Sequence, residues 1–293
     1  MNVWEERITR GTNAAIRVEH DARYRMAAPA IRAAPVWCDL GCGNGIAAAS
    51  ALDGRFDGRM VLVDLADEAL DHARRELQAA DTVTLRADLA AEEDLRRVRD
   101  AVLDGGPDGG CVTCFEVAEH LTSFVPLIEM LVGLARHHGF TVALSVPNDA
   151  FWSIENPFHH TMWGEGAFEE LRRLLPEDHV VARQVALHGS LIQVEGAVDS
   201  GHSVEVEPPT GTTPTHFLVV FGPGATLFAG TAQVGEADLV EQRRWERQRE
   251  SDLAFLKALE SKLRGEVRDF REYIHELERR LGLPLSGSGD HSA

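Results

Sequence analysis

Apolar runs of about five residues alternate with amphipathic stretches along most of this chain, and the runs end at acids or glycines. Short apolar runs bounded by turn residues read as buried strands, and their alternation with helical patterns argues βαβ units closing a parallel sheet. Strands are predicted near 36–40, 60–64, 82–86, 111–115 and 140–146, with two more near 178–187 and 215–221. Helices are predicted near 45–53, 67–79, 90–103, 122–138 and 164–175. The second of these opens on Asp67 and Glu68 and carries Arg74 and Arg75 later, the order that complements the helix dipole. Upstream, a helix from Glu19 to Ala28 is expected to stop at Pro29 within a cap region of residues 1–35. The expected fold class is α/β, a seven-stranded, doubly wound, mostly parallel sheet over residues 36–235, with a surface loop from Ser200 to Pro214.

The pattern changes after Gly235. From Leu253 the apolar residues fall at 253, 256, 263, 267, 270, 274, 277 and 281, the a and d positions of a heptad frame whose gap is Glu260. A narrow apolar seam on a charged helix must be buried against something. Strict a/d spacing favours a coiled coil over 236–283 that self-associates through 253–281, against packing on the chain's own first domain. Residues 284–293 are expected to be a disordered tail.

Composition narrows the function classes. With 293 residues and 44% hydrophobic content the chain can bury a large core. Its formal charge of −18 falls almost entirely outside 236–283, where 12 acids face 11 bases, and this disfavours nucleic acid as a partner. Residues Met1 to Arg7 lack the basic start and apolar core of a secretory signal, and no run reaches the roughly 18 to 20 apolar residues that span a bilayer. A soluble, cytoplasmic protein is expected. Cys38, Cys42, Cys111 and Cys114 have spacings that mimic a zinc site, but strand alternation sends Cys111 and Cys114 to opposite sheet faces, which predicts buried free thiols.

The candidate chemistry sits at the ends of the apolar runs. The first ends in Asp39-Leu40-Gly41-Cys42-Gly43-Asn44-Gly45, a bare-backbone turn before a helix N-terminus. The second ends in Asp64, where a doubly wound fold places a carboxylate for a ribose diol. Asp88 follows the third run, and the fourth runs into Glu116-Val117-Ala118-Glu119-His120-Leu121. Taken together, these ordered motifs resemble the class I S-adenosylmethionine-dependent methyltransferases over roughly residues 20–225, and the fourth resembles the signature of the ubiquinone-type O-methyltransferases.

That resemblance implies S-adenosylmethionine as cofactor and an antiparallel last strand. It implies that Gly41, Gly43 and Gly45 line the methionine moiety and that Asp64 holds the ribose. Asp88 with Leu89 would meet the adenine, Leu65 and Glu116 would complete the cofactor site, and Asp39 would organise the glycine turn or meet the ammonium group. On spacing alone, Glu116 shares a side with Glu119 or His120 if a helix starts there. His120 then reads as a general base oriented by Glu119, or the three read as ligands of a divalent cation such as Mg²⁺ or Mn²⁺, or as a structural cap.

A later segment, Asn156-Pro157-Phe158-His159-His160-Thr161-Met162-Trp163, joins Glu-x-x-Glu-His in resembling the small-RNA 3′-terminal 2′-O-methyltransferases. In that match Glu116, Glu119, His120 and His159 form a metal site, with His160 as neighbour. The acidic charge favours instead a small-molecule or glycan hydroxyl as the methyl acceptor. A metal-dependent RNA 3′-end 2′-O-methyltransferase and a non-catalytic scaffold assembled through its coiled coil are the alternatives. Trp152, Phe158 and Trp163 are expected to wall an acceptor pocket, with core packing an equal alternative for Trp163. His137 and His138 read as helix-end residues, and neither they nor His188 is placed in the site.

Overall fold

The computed structural model describes residues 14–104, 109–152, 156, 158–185, 213–228 and 239–282. It divides into two units, Met1–Gly235 and Glu236–Ala293. In the first, the elements in chain order are α1 (Ala14–Ala33), β1 (Val36–Leu40), α2 (Ile46–Leu52), β2 (Arg55–Asp64), α3 (Asp67–Glu76), β3 (Gln78–Arg86) and α4 (Glu92–Leu103). Then follow β4 (Gly110–Phe115), α5 (Val125–His138), β5 (Phe140–Pro147), α6 (Asp149–Trp152), α7 (Glu165–Arg172), β6 (Val180–Gln184) and β7 (His216–Phe221).

The seven strands form one sheet in the order β3-β2-β1-β4-β5-β7-β6. All neighbours run parallel except β7, which is antiparallel to both β5 and β6. Each sheet face carries its own core. Alternate residues of β1 divide between them: Val36, Cys38 and Leu40 face α4 and α5, whereas Trp37 faces α1 and α2. The order reverses between β1 and β4, so their C-terminal ends open a crevice at the switch point. All four cysteines are buried and free, and Cys111 and Cys114 belong to different faces, as alternation requires.

Three boundaries differ from the sequence pattern. The first helix runs through Pro29 to Ala33, because Ala27, Ala28, Ala30 and Ile31 bury against the sheet while Pro29 lies on the exposed face. The lost hydrogen bond therefore falls where the Arg25 carbonyl meets water. Helix α3 ends at Glu76 rather than 79, and residues 78–79 pair instead with 55–56, lengthening β2 and β3 past an irregularity at Phe56/Arg59. Helix α5 starts at Val125, where Pro126 in the first turn supplies the fixed φ of a helix opening. It ends on Arg136, His137 and His138 before Gly139, so the two histidines occupy the helix end expected for them.

The second unit contains one described helix, α8 (Leu239–Leu281). The expected tail at 284–293, the loop at 200–212 and His188 lie outside the described residues. Among the described residues, no helix is long and apolar enough to cross a membrane.

Candidate active site

The turn after β1 is pinned from two directions. Val63 carbonyl oxygen accepts both the Gly41 and Cys42 N–H groups at 2.9 and 3.0 Å. Asp64 accepts the Gly43 N–H at 3.0 Å through Oδ2 and the Ala66 N–H at 3.0 Å through Oδ1. Gly41, Gly43 and Gly45 all have positive φ, yet their surroundings differ. A Cβ on Gly41 would meet Val117 Cγ2 at 2.4 Å, and one on Gly45 would meet the Ala73 Cα at 2.8 Å. A Cβ on Gly43 would meet nothing within 4 Å. The outer two glycines let elements pack closely, whereas Gly43 presents bare backbone to open space.

The third acid also sits at this rim. Asp88 accepts the Ala90 N–H at 2.9 Å, and its own N–H donates to Asp94 at 2.8 Å. Asp88 is exposed, Leu65 is exposed, and Leu89 is packed into the core. Asp39 differs from these acids, being wholly buried beneath α1. Tyr24 donates its hydroxyl to Asp39 Oδ2 at 2.9 Å, and Thr113 donates to Oδ1 at 2.6 Å while accepting the Trp37 indole N–H at 2.9 Å. Burial pushes the Asp39 carboxyl up to about 7 even though both hydroxyls favour its ionised form. Its side chain thus ties α1 to β1 and β4.

Glu116 follows β4 with φ 56, a left-handed conformation that is uncommon for a residue with a side chain. Ser145 on β5 donates to Glu116 Oε1 at 2.7 Å and accepts the Glu116 N–H at 3.2 Å. His216, opening β7, places Nε2 3.1 Å from Glu116 Oε2. Burial opposes ionisation of Glu116, but His216 and then Arg23 outweigh it and hold the carboxyl well below its usual range. Arg23 is 1% exposed; its Nη1 donates to Gln184 at 2.9 Å, while Nε and Nη2 are buried with no protein partner. Beside it, burial and then the Arg23 charge drive the His20 imidazole down to about 3, so His20 is neutral at physiological pH.

Glu119 and His120 lie on a short 3-10 turn, Ala118–His120, rather than on an α-helix. Glu119, His120 and His159 have donor atoms all within 4.8 Å of one another, and Glu116 is outside this group. Burial, reinforced by the Glu116 charge, pushes the Glu119 carboxyl well above its usual range, and its Oε2 is buried without a hydrogen-bond partner. His120 Nδ1 lies 3.2 Å from the Phe158 carbonyl oxygen, an acceptor that fixes the proton on Nδ1 and turns Nε2 into the lone-pair nitrogen. Glu119 Oε1 is 3.9 Å from that Nε2, too far to orient the ring by a hydrogen bond. The expected pairing of Glu119 as orienter is therefore replaced by the Phe158 carbonyl.

His159 is held by Asp149, whose Oδ1 accepts from Nδ1 at 2.9 Å while Oδ2 accepts the Trp163 N–H at 2.6 Å. The Asn156 amide donates to His159 Nε2 at 3.0 Å. The His120 and His159 rings meet edge to face, with centroids 5.2 Å apart. His160 contributes its backbone N–H to the Glu119 carbonyl at 2.7 Å, which fastens this segment to the turn after β4. Trp163 is 1% exposed and packs in the core against Phe124, so core packing describes it rather than a pocket wall. Trp152 is 40% exposed, with its ring 6.1 Å from His216.

Similar folds are found among solved structures. The small RNA methyltransferase HEN1 matches at TM-score 0.44 and 17% identity, over 78% of this chain and 28% of that one. The methyltransferase domain of bacterial CtHen1 matches at TM-score 0.43 and 17% identity, over 70% of this chain and 100% of that one. An S-adenosylmethionine-dependent methyltransferase from Clostridium acetobutylicum matches at TM-score 0.42 and 13% identity, over 73% of this chain and 94% of that one. No protein-family model matches the sequence, and no curated protein does.

Ser145, Asp149 and His216 carry no motif that sequence reasoning could use. Each touches a predicted site residue from a different part of the chain: Ser145 and His216 meet Glu116, and Asp149 meets His159. On α1, Arg23 and Tyr24 are buried whereas Arg25 is exposed, a split that three consecutive polar residues do not show by themselves.

Proposed function

We propose that this chain is an S-adenosylmethionine-dependent methyltransferase acting on a hydroxyl of a small molecule or glycan. The observation that carries the reading is the Gly43 cradle, bare backbone facing open space beside Asp64, at the switch point of the sheet. The buried, unpartnered N–H groups of Arg23 fit the methionine carboxylate, since a buried donor left without an acceptor is costly. Asp64, which accepts the Gly43 and Ala66 N–H groups, stands beside that backbone where a doubly wound fold places the carboxylate for a ribose diol. Bound S-adenosylmethionine supplies an electrophilic methyl group on a sulfonium.

The chain's own work is to align the acceptor oxygen and take its proton. His120 fits the second task, because the Phe158 carbonyl leaves Nε2 as its acceptor. His159, fixed by Asp149, lines the same spot. Calorimetry with S-adenosylmethionine tests the cofactor assignment. Affinity weaker than about 1 mM, roughly −4 kcal/mol, would favour the non-catalytic scaffold instead.

A second reading is metal-assisted transfer, favoured by the grouping of Glu119, His120 and His159 and by the unpartnered Glu119 Oε2. Asp149 behind His159 matches the carboxylate–histidine pairing common behind metal ligands. In this reading the cation displaces the Asn156 amide from His159 Nε2, and Glu116, held by Ser145 and His216, is not a ligand. A divalent cation at these donors would acidify the acceptor hydroxyl. Titration with Mn²⁺ separates the two: saturable binding lost in His159→Ala supports the metal, and transfer undiminished by EDTA rejects it. Transfer to an RNA 3′ end that EDTA abolishes would replace the small-molecule acceptor by RNA.

A further inference from the structure

The second unit exposes a seam whose chemistry specifies its occupant. On α8, Leu256, Leu263, Val267, Phe270, Ile274, Leu277 and Leu281 are between 37% and 69% exposed. In the heptad frame, Leu253, Glu260, Val267, Ile274 and Leu281 take a positions, and Leu256, Leu263, Phe270 and Leu277 take d positions. The β-branched Val267 and Ile274 at a, with leucine at three of the four d positions, favour two parallel strands, because each packs best in the hole that this geometry makes.

The flanking charges favour the same orientation. Positions g include Asp252 and Glu266, and positions e include Lys257 and Arg271. A parallel in-register pair sets Asp252 against Lys257 and Glu266 against Arg271 of the second copy, opposite charges at every charged pair of this kind. The full-length antiparallel register, with a against d, sets Arg264 against Arg271 on both sides, which cancels its Lys257–Glu278 pairs, and leaves Glu266 opposite Tyr273. Glu260, the acid in the seam, has its Oε1 2.7 Å from Arg264 on the same helix, which offsets part of the cost of facing its counterpart.

We propose that α8 pairs with α8 of a second copy as a parallel, in-register, two-stranded coiled coil over residues 253–281. This goes beyond the proposed activity and does not depend on it. Analytical ultracentrifugation of the full chain is expected to show a dimer. Leu263→Asp with Val267→Asp should convert it to monomer, with the catalytic unit's circular dichroism intact, and Glu260→Leu should tighten dimerisation by at least tenfold in Kd.

Orientation is read from Leu256→Cys under mild oxidation. An intermolecular disulfide between identical positions is expected. Cross-linking that instead requires one Leu256→Cys copy and one Leu281→Cys copy would establish the antiparallel pair and overturn the proposal. A wild-type monomer, meaning the seam is covered in cis, or a trimer or tetramer would overturn it equally.

Discussion

Asp39 illustrates how one residue's chemistry is decided by what closes over it. A carboxyl raised to about 7 from 3.8 makes the folded state bind a proton more tightly than the unfolded chain. Its contribution to stability is therefore full below about pH 4 and is lost as pH rises through about 7. Against an Asp39→Asn variant, wild-type unfolding free energy should fall across that window by on the order of a few kcal/mol and then level off, as measured by urea denaturation. A flat difference would mean that the carboxyl ionises as freely in the fold as in the open chain.

The glycines separate at the same scale. Gly43→Ala should cost about 1 kcal/mol of stability through its positive φ and weaken S-adenosylmethionine binding by about tenfold or more, because the methyl group fills the cradle. Gly45→Ala should cost about 2 kcal/mol or more of stability, because the methyl group meets the Ala73 backbone at 2.8 Å. Paired calorimetry and thermal denaturation would show the two losses in different columns of measurement; the same pattern for both would refute the division.

At the scale of elements, α1 matters most. It carries Arg23 and Tyr24 on the face that buries against the sheet, so its packing and its site groups are one surface. Tertiary burial of four small or branched apolar residues around Pro29 overrides the local rule that proline stops a helix. Pro29→Ala is expected to raise the unfolding free energy by about 1–2 kcal/mol, the regained Arg25 carbonyl bond and helix propensity outweighing the freer unfolded chain. A lower midpoint in thermal denaturation would show that α1 needs the ring itself. Around the 3-10 turn at Ala118–His120 the two carboxyls shift in opposite directions: His216 and Arg23 hold Glu116 down, while burial and the Glu116 charge push Glu119 up.

For the whole molecule, the two compact units predict a clean division of labour. A chain ending at Gly235 should unfold cooperatively and bind S-adenosylmethionine within about threefold of the full chain, but sediment as a monomer. Loss of cofactor binding in that shortened chain would assign the C-terminal unit a part in the site.

The strands and the rim at their ends were legible from the apolar runs, because buried parallel strands write continuous hydrophobic segments and the acids and glycines mark their C-terminal ends; the strand order was not. The heptad seam was legible for the same reason: period is a property of consecutive residues. Partners distant in sequence were not. Glu116 with His216, Asp39 with Tyr24 and Thr113, and His159 with Asp149 are contacts across the sheet and its covering segments. Sequence determined which residues stand at the rim; only the tertiary structure decided which of them are charged, which are buried and which face one another, because burial and through-space charge have no period along a chain.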